Sequence, residues 1–147
     1  METTRRTALR ATAAAMVGTV FCSARAEDDL LPAEEAFRLR VRRADARTIE
    51  LMWIAAPGTY LYRDRMGVKT DNPQVSVVRV DLPPARTKHD ATFNQDVAYY
   101  EGSVLVRVTY AGPAVPFNLI ATAQGCADDR FCYPPVSREL PISGVSA

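Results

Sequence analysis

Apolar residues recur at every second position along much of this chain, and this pattern restricts its fold more than any other feature. Residues 37–41 read Phe-Arg-Leu-Arg-Val, and residues 49–53 read Ile-Glu-Leu-Met-Trp. A period of two places successive side chains on opposite faces of a β-strand, and helical spacing is nearly absent. The sequence therefore predicts an all-β fold.

Seven segments are predicted as strands, and turn signals such as Pro57-Gly58 and Gly112-Pro113 separate them. Short strands in this number, in a Pro- and Val-rich unit, favour two packed antiparallel sheets over a closed barrel. We therefore predict an immunoglobulin-like β-sandwich. The predicted strands are 37–41, 49–53, 59–65, 75–80, 103–110, 117–124 and 137–142.

The interval 83–100 mixes charged, amide and aromatic residues without a steady period of two, so it is predicted as a long loop. Loops of this length are uncommon in compact domains and are often functional lids. Phe93 is the aromatic residue in the polar stretch 90–95. It either covers a functional site or packs into the edge of the core.

The first 26 residues have the form of a signal peptide. Three arginines within the first ten residues precede an apolar run over 11–21, and Ala24-Arg25-Ala26 fits the small-x-small cleavage rule. The run is too short for a permanent transmembrane helix, which needs about 20 apolar residues. We expect cleavage after Ala26, export to the periplasm by the general or the twin-arginine route, and no stable membrane insertion.

The predicted mature domain, residues 27–147, has a size typical of one domain. The segment 1–26 holds four of the 18 basic and one of the 17 acidic residues, which leaves 14 basic and 16 acidic residues, net −2. The arginines at 38, 40, 42 and 43 are interpreted as the solvent-facing side of a strand. Nothing in this charge distribution favours a nucleic-acid partner.

Two cysteines remain after the predicted cleavage, Cys126 and Cys132, with five residues between them. In an oxidising compartment they are expected to pair. Their spacing matches neither the two-residue gap of thioredoxin-like motifs nor the doubled pairs of a zinc site. The chain also has one histidine, so we expect no metal and no bound cofactor.

The role of this disulfide stays open at this point, because it can brace a hairpin, as most secreted disulfides do. Chain entropy assigns only about 2 to 2.5 kcal/mol to such a short closed loop, and a domain of this size can stabilise itself through its core. The polar residues between the cysteines, followed by Tyr133-Pro134-Pro135, predict an exposed loop. An incoming thiolate could then reach a sulfur and exchange with it.

The residues around the cysteines read Gln-Gly-Cys-Ala-Asp over 124–128 and Phe-Cys-Tyr-Pro-Pro over 131–135. This pattern resembles the active-site hairpin of the amino-terminal periplasmic domain of the DsbD family of thiol:disulfide interchange proteins. The resemblance covers nearly the whole predicted mature chain, and it implies the immunoglobulin-like fold and a redox function. It extends through Leu31-Pro32-Ala33, Ala36-Phe37, Tyr60-Leu61-Tyr62-Arg63 and Phe93.

The resemblance implies that the domain takes electrons from a thioredoxin-like domain and passes them to periplasmic thiol proteins through transient mixed disulfides. The implied acceptors are disulfide isomerases and the cytochrome c maturation reductase. By the same resemblance, Cys132 forms the mixed disulfide and Cys126 resolves it, and Phe93 is the tip of a cap loop that a partner displaces. The residues expected to line the site are Tyr60, Tyr62 and Tyr133.

Several alternatives remain open. Tyr60 and Tyr62 could serve only as cross-strand aromatic packing. Where family members carry acidic residues before the cap aromatic and another aromatic after it, this chain has Ala91-Thr92 and Asn94. The electron source is expected to be a separate membrane carrier, unless the chain is a fragment of a longer membrane protein. The alternative function is a non-catalytic periplasmic binding or assembly module with a structural disulfide.

Overall fold

The computed structural model describes residues 30–128 and 130–143, which contain one four-residue helix and twelve strands. All the strand pairs are antiparallel. The predicted signal peptide and its cleavage site lie outside the described residues. The helix is α1 (Ala33–Ala36), and the strands are β1 (Phe37–Arg43), β2 (Thr48–Ala55), β3 (Thr59–Tyr62), β4 (Gly67–Thr70), β5 (Ser76–Asp81), β6 (Arg86–Asp90), β7 (Gln95–Glu101), β8 (Ser103–Ala111), β9 (Phe117–Ala123), β10 (Gly125–Ala127), β11 (Phe131–Cys132) and β12 (Val136–Ile142).

Three sheets contribute to one main core. The first has the strand order β1-β2-β8-β5, the second β11-β10-β3-β7-β6, and the third β12-β9-β4. Trp53, Leu61 and Leu119 come from one strand of each sheet, and none is more than 1% exposed. Full burial of one such side chain contributes about 1.5 to 3 kcal/mol. The all-β prediction is confirmed.

All seven predicted strands are present, with boundaries that differ by a few residues. The segment 59–65 is shorter than predicted, because the strand ends at Tyr62 and Arg63–Arg65 form a turn of 3-10 helix. At this turn the chain leaves the second sheet and enters the third, where β4 pairs with β9. The arginines at 38, 40, 42 and 43 are exposed, as interpreted from the sequence.

The prediction of a long loop over 83–100 is wrong. These residues include β6 and β7, which pair as a hairpin around the turn residues 91–94. The strand β6 lies at the end of the second sheet and is mostly exposed, so it has no continuous apolar face. An edge strand of this kind gives no clear period of two in the sequence. Asn94 adopts a left-handed φ of 50° in the turn.

Gly125 sets the position of the cysteine hairpin against the rest of the second sheet. A Cβ atom on this residue would lie 2.0 Å from the Tyr60 carbonyl oxygen and 2.6 Å from the Phe37 ring. Only glycine allows the backbones of β10 and β3 to approach this closely. Because Cys126 is the next residue, the same contact fixes where that cysteine meets β3.

We predict that Gly125→Ala lowers the free energy of unfolding by about 3 kcal/mol or more, since the added methyl group meets backbone atoms. Gly102→Ala is the matched control. It has a φ of +66° but open space around the new Cβ, so it should cost only about 1 kcal/mol of backbone strain. Chemical denaturation measures both, and equal losses would contradict the steric explanation.

Candidate functional site

The two cysteines face each other across the β10–β11 hairpin. They are register partners with Cα atoms 4.0 Å apart, and their sulfurs are bonded. The Tyr133 N–H donates to the Gly125 carbonyl beside them, which makes the cysteines a non-hydrogen-bonded pair of the ladder. Because β11 is the last strand of its sheet, the backbone N–H and C=O of Cys132 point toward the sheet edge.

The two sulfurs are not equally accessible. Cys126 is fully buried, because β10 lies between β11 and β3, whereas Cys132 on the edge strand is partly exposed. The predicted exposure of the loop between the cysteines is confirmed at Asp128, Arg130 and Phe131, and one of the two sulfurs, that of Cys132, belongs to a partly exposed residue. An attacking thiolate reaches Cys132 more readily, since access is a requirement for exchange.

Three tyrosines form a second apolar cluster around Cys126, separate from the main core. The Tyr60 ring contacts those of Tyr62 at 5.3 Å and Tyr99 at 5.6 Å, in both cases edge to face. Tyr60 is the register partner of Cys126, and Tyr62 that of Tyr99, so these side chains share one face of the second sheet. The aromatic packing considered for Tyr60 and Tyr62 is present, and it lies directly beside the cysteines.

The Tyr62 hydroxyl is the polar group nearest to the disulfide. Its oxygen lies 3.0 Å from Cys126 Sγ and 3.8 Å from Cys132 Sγ. The Thr92 hydroxyl, from the turn of the β6–β7 hairpin, lies 3.9 Å from Cys132 Sγ. A hydroxyl can donate a charge-assisted hydrogen bond to a thiolate. Two hydroxyls therefore lie close enough to the sulfurs to contact a thiolate that forms when the disulfide opens.

Asp90 is the site residue that the sequence analysis missed. It ends β6, is 1% exposed, and its Oδ2 accepts hydrogen bonds from Tyr62 at 2.5 Å and Tyr60 at 3.2 Å. Its Oδ1 accepts the backbone N–H groups of Thr92 at 2.8 Å and Phe93 at 3.2 Å. An Asp that binds the N–H two residues later is a known turn signal, and it could have indicated the hairpin.

Burial raises the pKa of Asp90, but hydrogen bonds from Tyr62, Phe93, Thr92 and Tyr60 outweigh burial and hold the pKa below its usual value. Asp90 is therefore ionised at neutral pH. A thiolate on Cys126 would share the Tyr62 hydroxyl with this carboxylate. Because the hydroxyl has a single proton, it cannot donate to the thiolate and to Asp90 at the same time.

Phe93 occupies the tip of the β6–β7 hairpin and is 37% exposed. Its ring meets that of Tyr62 edge to face at 5.6 Å, and the guanidinium carbon of Arg65 lies 5.5 Å from its centroid. It is not among the residues of the main core cluster. The hairpin tip thus brings Thr92 and Phe93 to the side of the site where Cys132 is exposed.

Tyr133 lies apart from the other predicted site residues. Successive residues of an extended chain point in opposite directions, so Tyr133 turns away from the face of Cys132 and packs in the main core. Its ring lies 5.1 Å from Phe37, and its hydroxyl donates to the Leu31 carbonyl at 3.0 Å. Burial raises its pKa. Tyr133 anchors the base of the cysteine hairpin.

Charged side chains surround the aromatic cluster. The Lys88 ammonium lies 3.4 Å from the centroid of the Tyr60 ring, which is a close cation–π contact.

Within the described residues, no group of three or more His, Cys, Asp or Glu side chains is placed to hold a metal ion. None of the helices in those same ranges has the length and apolar character needed to cross a membrane.

The fold and the site define a β-sandwich domain with a partly exposed disulfide at a sheet edge, next to an aromatic hairpin tip. Residues 27–143 match the protein family described as thiol:disulfide interchange protein DsbD, N-terminal. The chain belongs to this family, which confirms the resemblance found in the sequence.

Two relatives illustrate the match. The chain is 40% identical over 131 residues to the thiol:disulfide interchange protein DsbD of Ralstonia nicotianae, over 89% of this chain and 22% of that protein. It is 39% identical over 118 residues to DsbD 1 of Pseudomonas aeruginosa, over 80% of this chain and 20% of that protein. The chain thus spans about a fifth of the length of these curated relatives.

Solved structures confirm the immunoglobulin-like fold. The reduced DsbD n-terminal domain of Neisseria meningitidis superposes with a TM-score of 0.70 at 30% identity, over 81% of this chain and 94% of that one. The DsbD N-terminal domain in a complex with the PilB N-terminal domain, from the same organism, gives 0.65 at 28% identity, over 80% and 90%.

We predict that Asp90→Asn lowers the free energy of unfolding by about 2 kcal/mol at pH 7, since it weakens several hydrogen bonds to a buried charge. The folded pKa of Asp90 is depressed, so its stabilisation is complete above the unfolded pKa of about 3.9 and is lost as the pH falls through the folded value. The difference from wild type should therefore shrink below about pH 4.

Asp96→Asn on the same hairpin is the control for this measurement. Asp96 is an exposed carboxylate that faces His89, so its substitution should change stability little. Denaturant titrations at pH 7 and below pH 4 make the comparison. A loss for Asp90→Asn that stays the same at both pH values would show that the ionised carboxylate is not what stabilises the fold.

Proposed function

We propose that this chain is a periplasmic protein-disulfide reductase module that relays electrons from a thioredoxin-like donor to partner proteins through Cys126 and Cys132. The observation that carries the proposal is the unequal exposure of the two sulfurs at a sheet edge. Cys132 is accessible to another protein's thiolate, and Cys126 is buried beside the Tyr62 hydroxyl. At such a site a thiolate can attack the Cys132 sulfur, and the Cys126 sulfur then leaves as a thiolate that stays inside the domain.

Loading of the domain takes two exchanges. In the first, a donor thiolate attacks Cys132 Sγ, the bond between the two sulfurs breaks, and Cys126 leaves as a thiolate next to Tyr62. In the second, another donor thiolate attacks the donor sulfur of the mixed disulfide and releases Cys132. The two released thiolates take up the protons that the donor thiols lost, so the donor is oxidised to a disulfide and this domain holds two thiols, hence two electrons.

Delivery reverses these roles. The Cys132 thiolate attacks the disulfide of an acceptor and forms a mixed disulfide with it, and the released acceptor thiolate takes up a proton. Cys126 then attacks Cys132 Sγ, which restores the internal disulfide and releases the reduced acceptor. In both directions the Tyr62 hydroxyl lies beside Cys126, and it can donate its one proton either to Asp90 or to a thiolate on that cysteine. No bound cofactor is needed.

The partners we propose are thioredoxin-like proteins. A DsbD N-terminal domain from Neisseria meningitidis has been solved in a complex with the PilB N-terminal domain, which supports binding to another protein. For this chain we propose a membrane electron carrier as the source, and disulfide isomerases and the cytochrome c maturation reductase as acceptors. Residues 1–26 would direct export and be removed after Ala26, leaving a mature domain of residues 27–147.

We also propose that Phe93 caps the site. Its ring rests on Tyr62, and its neighbour Thr92 lies beside Cys132 Sγ. An apolar ring at this place hinders small thiols, whereas a docking protein surface can displace it. Tyr60 and Tyr62 line the site under this cap.

A non-catalytic binding module is the second candidate, and the full burial of Cys126 favours it, because bracing requires no access. The reduction potential separates the two functions. A bracing disulfide should lie below about −300 mV, while an exchanging one should be more oxidising. We expect a value above that limit, measured by equilibration with a thioredoxin-like protein of known potential. A lower value would favour the binding module.

We predict that Cys126→Ser accumulates mixed disulfides with thioredoxin-fold proteins through the remaining Cys132, because nothing resolves the intermediate. Cys132→Ser is the matched variant and should trap few partners, because the remaining thiol is buried. Non-reducing electrophoresis and mass spectrometry of periplasmic extracts identify the adducts. Trapping by Cys132→Ser alone would reverse the roles of the two cysteines.

A further inference from the structure

The cap residue Phe93 makes a second ring contact, with Arg65. Arg65 is exposed and ends the 3-10 turn Arg63–Arg65 that follows β3. Its guanidinium carbon lies 5.5 Å from the centroid of the Phe93 ring, within the range of a cation–π interaction. Tyr62, from the end of the same strand, contacts the ring at 5.6 Å. The end of β3 and the turn that follows it therefore supply the aromatic and the cationic contact of the cap.

The backbone N–H of Phe93 is bonded to Asp90, but its ring is positioned by side-chain contacts with Tyr62 and Arg65. The ring is 37% exposed, so its burial contributes less than that of a fully buried side chain. A cavity of about 60 Å³ lies at the junction of Tyr62, Arg65 and Phe93 with the start of β7. The hairpin residues on either side of Phe93, Thr92 and Asn94, are exposed as well. Under these conditions, loss of one cation–π contact should measurably change how often the ring is displaced.

We propose that Arg65 is a positioning residue that latches the cap: its guanidinium holds Phe93 over Tyr62 and so limits how often Cys132 is open to attack. This inference rests on the proposed exchange function. In this chain, Arg65 performs the holding role at a cap where Ala91-Thr92 precede Phe93 and Asn94 follows it. Its partner in the contact is a ring, so Arg65 acts on access to the sulfur rather than on the sulfur itself.

Arg65 also has an electrostatic effect of the opposite sign. A positive charge near the disulfide attracts an incoming thiolate, so loss of that charge slows the reaction. Loss of the latch increases the open fraction and makes the reaction faster. The direction of the change in rate therefore distinguishes a latch from a simple surface charge.

The test measures the rate at which the oxidised protein is reduced by dithiothreitol at fixed pH and ionic strength. We expect Arg65→Gln to react about two- to fivefold faster than wild type, the factor that corresponds to an exposed cation–π contact. Arg65→Lys keeps a cation at this position and should restore most of the slow reaction. Thermal unfolding of each variant should stay at the wild-type midpoint, since Arg65 is exposed.

Arg63→Gln is the matched control. Arg63 lies in the same turn and forms an ion pair with Asp64 at 3.7 Å, so its substitution removes the same charge without removing the contact to Phe93. It should not accelerate the reaction. Phe93→Ala should react faster than wild type, and adding Arg65→Gln to it should give no further acceleration, because no ring remains to be held.

Each outcome separates the latch from the function on which it rests. A faster Phe93→Ala together with an unchanged or slower Arg65→Gln would show a cap that Arg65 does not hold, and would overturn the latch alone. Equal acceleration by Arg65→Gln with and without Phe93 would also overturn it. If Phe93→Ala itself reacts at the wild-type rate, there is no cap, and both the latch and the cap of the proposed function fail.

Discussion

The carboxylate of Asp90 is the group on which the arrangement of the site depends. One of its oxygens accepts hydrogen bonds from two tyrosines of β3, and the other accepts two backbone N–H groups of the hairpin tip. A buried charge of this kind must be satisfied on all sides, because an unpaired one would be very costly. Asp90 therefore links the hairpin tip to the two tyrosines of β3, and it holds the Tyr62 hydroxyl within reach of both sulfurs.

Side chains alternate along the strands of the second sheet, so the residues that stabilise the fold lie on one face and the residues around the cysteines lie on the other. Leu61 and Tyr100 point from β3 and β7 into the main core, while Tyr60, Tyr62 and Tyr99 point to the other face and surround Cys126. Packing of the main core therefore does not depend on the redox state of the cysteines. The same alternation places Tyr133, the neighbour of Cys132, in the core. Of these two adjacent residues, Tyr133 thus stabilises the core and Cys132 belongs to the site.

The sequence predicted the elements that have a strong local signal. The period of two predicted seven of the strands, the two cysteines of an exported chain predicted the disulfide, and the motif around them predicted the family. The β6–β7 hairpin was missed because an exposed edge strand has no continuous apolar face. Asp90 was missed for the same reason, since its burial follows from that hairpin. Tyr133 was assigned to the site from its place in the motif, whereas strand alternation turns it inward.

A site that opens and closes a disulfide must not need that bond to remain folded, and the cysteine hairpin meets this condition. The bond joins residues only six positions apart, so its chain-entropy contribution is about 2 kcal/mol. The base of the hairpin is held by other contacts: the close approach at Gly125, the Tyr133 N–H bond to the Gly125 carbonyl, and the packing of the Tyr133 ring on Phe37. None of these contacts involves a sulfur atom. When the bond breaks, the hairpin can therefore stay attached to the sheet and keep Cys126 close to Cys132, as the proposed exchange requires.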